Sequence, residues 1–344
     1  MKLSDFDFNL PSELIAQTPL IKRDESALLV MKPDANTIKT KFYDIVDYLK
    51  EGDLIVFNNS RVIKARLILK KNGKEIDFYL NKKLNENSWN GFARPAKKLK
   101  EGDVFNFGVH TIRISKKLFM GETEIEFKLD NISIFEFLDI YGQMPLPPYI
   151  KRPKINSTED ESYQTIYNDP CGSVASPTAG LHFTEELLNK IKNKNIEIIF
   201  VTLHVSAGTF LPVKTENLDD HKMHSEYCCV NEEAANKINL AKKEGRNIIA
   251  VGTTSLRTLE SAAYEGYVKP GEFETQIFIK PGFEFQIVDM LITNFHLPKS
   301  TLLMLVCAFA GYNEILRLYD YAIKEKMRFF SYGDATLLYR IIPK

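Results

Sequence analysis

The stretch Ala65–Leu80, ARLILKKNGKEIDFYL, places two short runs rich in aliphatic and aromatic residues either side of the turn pair Asn72-Gly73. Four more such runs follow at Ser88–Arg94, Asp103–Phe107, Thr111–Ser115 and Thr123–Leu129, separated by Asn85–Asn87, Glu101-Gly102, Gly108 and Gly121. Short strands at this spacing predict a small antiparallel barrel or sandwich. The pattern stops near Gln143–Tyr149, QMPLPPY, where three prolines lack the donor that a sheet or helix needs. That stretch reads as a linker.

Outward from this module the pattern changes to alternating helices and strands. Thr184 is the expected N-cap of a helix that opens on Glu185 and Glu186 and runs to about Asn193. A strand is expected at Ile196–Leu203, a helix at Glu232–Glu244, a strand at Asn247–Val251 and a helix at Leu256–Tyr264. Such an order predicts a parallel sheet with helices on its faces. Ala27–Met31 and Asp53–Phe57 precede the β module and read as buried strands of the same sheet. The fold expected is therefore α/β, with residues 61–154 inserted as a small antiparallel β module, barrel or sandwich, between residues 1–60 and 155–344 of a discontinuous domain.

Composition agrees with a folded chain of about two domains: 344 residues, 44% apolar and 26% charged. Lys and Arg balance Asp and Glu at 45 each, which at face value argues against a polyanionic partner. The balance is not local. Residues 61–155 carry 19 basic and 11 acidic residues, so a module of net charge +8 sits beside a remainder of −8. The acidic start, MKLSDFDFNLPSELIAQ, lacks the basic and apolar segments of an export signal, and Leu302–Ala310 is about half the ~20 residues of a membrane span. Cys171, Cys228, Cys229 and Cys307 have no CxxC spacing. A soluble, cytoplasmic, monomeric protein without membrane contact is expected.

Five of six histidines fall between residues 182 and 296. Small residues, a proline and a glycine precede His182 in Ser173–His182, SVASPTAGLH, which suits either close approach to a ligand or an ordinary loop. His204 ends an apolar strand, and ligands of open α/β sheets bind beyond the carboxyl ends of strands. It can be a base, a donor to a ligand or a satisfied core group. Asp219–Glu226, DDHKMHSE, is the densest polar cluster: a metal set of His221, His224 and Glu226, a group of acid/base and anchoring residues, or a solvated turn. Residues 221 and 224 of an extended segment tend to face opposite ways, which disfavours the metal. Gly252–Arg257, GTTSLR, offers hydroxyls and amides at a helix start, and neither a Walker A loop nor a GxGxxG fingerprint occurs. Thr293–Ser300, TNFHLPKS, and Arg328–Asp334, RFFSYGD, complete the polar segments.

Together DFDFNLPSELIAQTP, VFNNSRVIKARL, FARPAKKLKEGD, LPPYIKR, SVASPTAGLHFT, VTLHVSAGTF, DDHKMHSEY, VGTTSLRTLES, ITNFHLPKSTLLMLVCAFAG and RFFSYGDATLL resemble the S-adenosylmethionine:tRNA ribosyltransferase-isomerase (QueA) family of queuosine biosynthesis. The resemblance covers nearly the whole chain. It departs at Asn59-Ser60, usually Asp-Thr, at Lys64, usually proline, and at Ser206, usually glycine. It implies a three-layer α/β sandwich with an inserted six-stranded barrel. It also implies transfer of the ribosyl part of S-adenosylmethionine, a substrate rather than a cofactor, to 7-aminomethyl-7-deazaguanine (preQ1) at the wobble position of tRNAs with GUN anticodons. The products are epoxyqueuosine-tRNA, adenine and methionine.

On that reading the base and acid come from His182, His204, His221 and His224, with Asp220 or Glu226 orienting or binding a hydroxyl or amine. Thr254 and Arg257 hold the methionine carboxylate, and Arg328 and Tyr332 face adenine or RNA. Ser60, Arg61, Thr178, Gly180, Asn294, His296 and Asp334 complete the substrate positions. Arg94, Lys97, Lys98 and Lys100 of the basic module, with Lys151, Arg152 and Lys154 of the linker, are the expected tRNA contacts. No metal is expected. A metal-dependent hydrolase built on His221, His224 and Glu226, or a non-catalytic RNA-binding protein, are the competing classes.

Overall fold

The computed structural model describes residues 1–341, apart from residues 35, 119, 120, 148, 151–160, 211, 212 and 214. Nine strands build one sheet, from β17 (Gly271–Thr275) through β13 (Glu226–Val230), β12 (Glu197–Leu203), β3 (Leu54–Asn58) and β14 (Ile248–Val251). It continues through β18 (Met290–Asn294), β19 (Ala335–Tyr339) and β1 (Ala27–Met31) to β2 (Thr37–Lys41). The four central strands β12, β3, β14 and β18 are parallel, as the helix–strand alternation predicts. The whole sheet is mixed: β13, β17 and β2 are antiparallel to their neighbours, and β19 is antiparallel to β18 but parallel to β1. A parallel return needs a crossover, usually helical, and among the described residues between β12 and β13 there are only short 3-10 turns.

Period-two side chains split the sheet between two cores. Leu29 and Met31, Leu54 and Val56, and Ile248 and Ala250 point to one face. There they meet α3 (Glu232–Lys243), α4 (Gly252–Ala262), α5 (Thr301–Ala310) and α6 (Tyr312–Lys324). Leu28 and Val30, Ile55 and Phe57, and Ile249 and Val251 point to the other, against α2 (Glu185–Asn193) and the 3-10 turns Phe42–Tyr48. Strands buried on both faces read as continuous apolar runs, and the result is a three-layer sandwich. The α4 helix begins at Gly252, four residues earlier than its apolar pattern suggests, and a small hairpin of β15 (Ala263–Tyr264) and β16 (Tyr267–Val268) follows it. At Gly311 (φ 93°) the apolar α5 turns by 115° into α6, and both pack into the first core. No single helix among the described residues is long and apolar enough to cross a membrane.

A second sheet lies wholly within residues 66–128. Its antiparallel order is β5 (Arg66–Lys71), β6 (Lys74–Lys83), β7 (Ser88–Arg94), β10 (Glu122–Lys128), β9 (His110–Lys117) and β8 (Val104–Phe107). All six runs expected from the sequence form strands. The sheet curls until its edges β5 and β8 approach, and Lys71 pairs there with Asp103. Inside this nearly closed barrel sit Phe78, Trp89, Ile112 and Ile125. Helix α1 (Ile134–Tyr141) plugs it with Phe137 and Leu138, and Ser133 caps the helix by accepting the Glu136 N–H at 3.2 Å. Val174 and Ala207 of the sandwich enter the same core, and Lys82 Nζ meets Glu274 of β17 at 2.6 Å. The barrel thus lies against the end of the sheet where β12 and β13 emerge. A short parallel pair, β4 (Arg61–Val62) with β11 (Cys171–Ser173), joins the chain entering the barrel to the chain that leaves it.

Candidate active site

Asn58, Leu203, Val251 and Asn294 end the four parallel strands at one edge of the sheet, and the polar segments of interest start there. Asn58, buried, ties two of these ends together: its amide N–H donates to the Leu203 carbonyl (2.9 Å), and its oxygen accepts from Leu203 N–H (3.0 Å) and Ser60 N–H (3.1 Å). This bracket delivers Ser60 Oγ to His204 Nδ1 at 2.7 Å. Beyond the last β12–β13 pair the two segments stay side by side. His204 N–H donates to the Tyr227 carbonyl (3.0 Å), Ser206 N–H to Glu226 Oε1 (3.1 Å), and Gly208 lies against the His224 ring.

The His204 ring stacks on Tyr227, with centroids 5.2 Å apart and planes at 19°. Gly172 touches the same ring so closely that a Cβ there would stand 2.7 Å from Nε2. Burial lowers the His204 pKa to about 4. Glu226 and Arg257 form an ion pair, both more than nine-tenths buried. Among the described residues, Arg257 Nε and Nη2, Ser206 Oγ, Thr254 Oγ1 and Ser176 Oγ are buried without a hydrogen-bond partner. Uncompensated buried polar groups cost about 1–3 kcal/mol each, so these, which follow the ends of β11, β12 and β14, mark places suited to a polar ligand or water.

His182 occupies a different setting. It is buried and stacks on Phe42 at 4.8 Å. Asn294 Nδ2 donates to its Nε2 (3.1 Å), so Nδ1 carries the proton toward Ser26 Oγ at 2.8 Å. Thr178 Oγ1 reaches Asn294 Oδ1 at 3.5 Å, and burial takes the His182 pKa to about 4. His296 is buried beside Thr293 (3.2 Å), its pKa lowered by burial to about 3. Gly180 lies under the Tyr167 hydroxyl, which leaves no room for a side chain. Arg61 is exposed at the barrel entrance.

The densest polar stretch divides between faces. Glu226 points inward, His224 and Asp220 are exposed, and His221 packs on Phe278 at 5.3 Å, its pKa lowered by burial and by His224. Among the described residues no three His, Cys, Asp or Glu side chains converge as a metal set. Glu226 is held instead by a guanidinium. In the C-terminal segment, Asp334 accepts the N–H groups of Ala27 and Arg328, each at 2.8 Å, Arg328 also reaches the Thr18 carbonyl, and the Tyr332 hydroxyl lies 3.3 Å from Ser162 Oγ. All four cysteines are free, and burial pushes the thiols of Cys228 and Cys307 up to about 12, away from nucleophilic use.

Arg94, Lys97, Lys98 and Lys100 are exposed on the barrel, and no described residue forms an ion pair with them. Lys71 and Lys117 bind the carbonyls of Ala96, Lys98 and Leu99 from behind, which fixes the loop that carries them. Lys151, Arg152 and Lys154 lie outside the described residues. A concavity of about 630 Å³ on the barrel, lined by Lys83, Arg113 and Lys128 against Glu86 and Glu126, shares no residue with the strand-end cluster. Sequence reasoning missed Asn58, Ser26, Gly172 and Tyr227. A polar residue closing an all-apolar strand was the available signal for Asn58; the others act through contacts that no local pattern encodes.

Fold and site define a class: a three-layer α/β protein whose cluster of buried polar side chains, at the carboxyl ends of parallel strands, adjoins a basic β-barrel. The family model of the queuosine biosynthesis protein matches residues 3–338. The S-adenosylmethionine:tRNA ribosyltransferase-isomerase of Rickettsia bellii is 62% identical over 355 aligned positions, covering 99% of each protein. Its counterpart in Rickettsia felis is 59% identical, over 99% of this chain and 100% of that one. The crystal structure of S-adenosylmethionine tRNA ribosyltransferase from Thermotoga maritima is similar at 35% identity and a TM-score of 0.55, covering 97% of this chain and 99% of that one. The chain belongs to the queuosine biosynthesis protein family of S-adenosylmethionine:tRNA ribosyltransferase-isomerases.

Proposed function

We propose that this protein transfers and isomerises the ribosyl moiety of S-adenosylmethionine onto preQ1 at the wobble position of tRNAs with GUN anticodons, giving epoxyqueuosine-tRNA, adenine and methionine. The observation that carries the reading is end-to-end identity of about 60% with enzymes of that name. Geometry adds a cluster of buried polar side chains with the chemical means. The sulfonium acidifies the ribose C5′ protons, so a base can remove one, and departure of adenine calls for a donor to the purine. His182, His204, His221 and His224 are the pool for both roles, with Asp220 or Glu226 to orient or bind a hydroxyl or amine. The methionine carboxylate meets the unpartnered Arg257 edge and Thr254, while Arg328 and Tyr332 line the purine or RNA side.

Residues 61–154 serve as an inserted unit that grips phosphates through Arg94, Lys97, Lys98 and Lys100 beside the crevice. Residues 1–60 and 155–344 form the discontinuous catalytic domain. On this reading the protein acts in the cytoplasm as a monomer. Incubation with S-adenosylmethionine and preQ1-bearing tRNA, read by mass spectrometry, is expected to release adenine and to yield a heavier wobble nucleoside. Intact S-adenosylmethionine with tRNA bound would reduce the protein to an RNA-binding role. Loss of turnover on chelation would revive the metal-hydrolase reading.

A further inference from the structure

We infer that Ser60 is a positioning residue that holds the ring proton of His204 on Nε2, so that His204 serves the reaction as a hydrogen-bond donor and not as its base. Ser60 is 1% exposed, and among the described residues its hydroxyl has one partner, His204 Nδ1 at 2.7 Å. A hydroxyl has one proton to give. If Nδ1 carried the ring proton and donated to Ser60, the buried O–H would point its own proton at no acceptor, at a cost of about 1–3 kcal/mol. With the hydroxyl donating to Nδ1, both groups are satisfied and Nε2 keeps its hydrogen.

The surroundings hold this arrangement in place. Asn58 accepts the Ser60 N–H, the His204 N–H donates to the Tyr227 carbonyl, Tyr227 stacks on the ring, and Gly172 leaves space where a Cβ would meet Nε2. Burial keeps the ring neutral at working pH. A neutral imidazole with Nε2–H can polarise an atom that gains negative charge, as a fixed donor in a water-poor site. In the reaction proposed above, on which this inference rests, the departing purine is such a group. No proton need leave His204: the C1′–N9 electron pair departs with adenine as a lone pair of the ribose ring oxygen fills the emptied C1′, Nε2–H stabilises the leaving anion, and the proton that the base took from C5′ passes on to it. His182, by contrast, has Nε2 occupied by Asn294, which leaves the half-buried His221 and the exposed His224 for the role of base.

Nitrogen NMR of ¹⁵N-histidine-labelled full-length protein, with His204 assigned by its loss in His204→Gln, reads which ring nitrogen bears the hydrogen. A direct ¹⁵N–¹H coupling at Nε2 is expected in the wild type and in Ser60→Thr. Ser60→Ala should mix the tautomers and lower kcat about tenfold, the worth of one hydrogen bond to developing charge, with KM for tRNA unchanged. Coupling at Nδ1 in the wild type would overturn the inference, as would Ser60→Ala with unaltered tautomer and kcat. The wild-type spectrum decides even where Ser60→Ala fails to fold. It also decides if no adenine is released, an outcome that would overturn the reaction and leave the tautomer standing.

Discussion

The outer face of the barrel and the crevice of the sandwich hold their polar residues in opposite ways. On the barrel, Arg94, Lys97, Lys98 and Lys100 stand exposed, with no ion-pair partner among the described residues. In the crevice, Glu226 and Arg257 pair in burial, and Ser60, His204, Asn58 and Asn294 are each fixed by named hydrogen bonds. Exposed charges act through a screened field that sums roughly additively over many contacts. Buried groups act through geometry in a low dielectric, where the loss of one strands its partner. The two regions should therefore fail differently when perturbed.

The largest effect is expected at the buried ion pair. Arg257→Met removes a buried guanidinium from the Glu226 carboxylate and should destabilise the fold by about 3–5 kcal/mol in urea unfolding, whereas Glu226→Gln with Arg257→Met should recover part of the loss. An Arg257→Met variant within 1 kcal/mol of wild type would show the pair to be solvated. Next comes His204→Ala. Single-turnover product formation should fall by ~10²–10³, as for removal of a fixed donor to developing charge, with tRNA affinity retained. A loss of affinity equal to the loss of rate would place His204 in binding instead.

Acid should expose the same contrast in stability. Burial holds His182 and His204 at pKa values of about 4 against 6.5 in the unfolded chain. Between those values the unfolded state binds more protons, so the stability present above pH 6.5 is lost as pH falls toward 4, by roughly 3 kcal/mol for each histidine. His182→Asn should flatten that part of the urea midpoint against pH, once compared with wild type. Reversing the barrel lysines should leave it untouched. An unchanged slope in His182→Asn would mean that His182 is protonated in the native state.

Much of this contrast was legible in the sequence, and the part that was not has a common cause. The barrel could be read because strand, turn and strand are neighbours: Asn72-Gly73 and Gly108 sit where β5–β6 and β8–β9 turn. The buried strands and the place of His204 at the end of β12 followed from apolar runs in the same way. Outer strands of the sheet did not. Whether β13 returns antiparallel depends on the absence of a crossover helix, which composition does not register. His221, His224 and Glu226 looked like one cluster because they are close in sequence, yet the extended chain turns Glu226 inward and leaves His224 exposed. Conversely, Ser60 meets His204 and Ser26 meets His182 across 144 and 156 residues, contacts that exist only once the sheet has formed.

The smallest effects belong to the barrel, and they test additivity. Reversing Lys97, Lys98 and Lys100 to glutamate should weaken tRNA binding on the order of tenfold at 0.15 M salt, and should lower the slope of log affinity against log salt by about three. Affinity for S-adenosylmethionine should not change, because among the described residues no ion pair joins these lysines to the strand-end cluster. A slope that stays constant would remove the barrel face from the RNA path. Smaller still is Lys82 with Glu274, a half-exposed pair at 2.6 Å between barrel and sheet edge. Exposed pairs contribute at most about 1 kcal/mol, so Lys82→Met should shift the urea midpoint slightly, and less at high salt. Glu274 also accepts from Ser225, next to His224, so the pair tethers the barrel to the histidine-bearing segment. If Lys82→Met changed turnover more than stability, the tether would couple the two regions; equal, small changes would leave barrel and crevice as independent parts of one site.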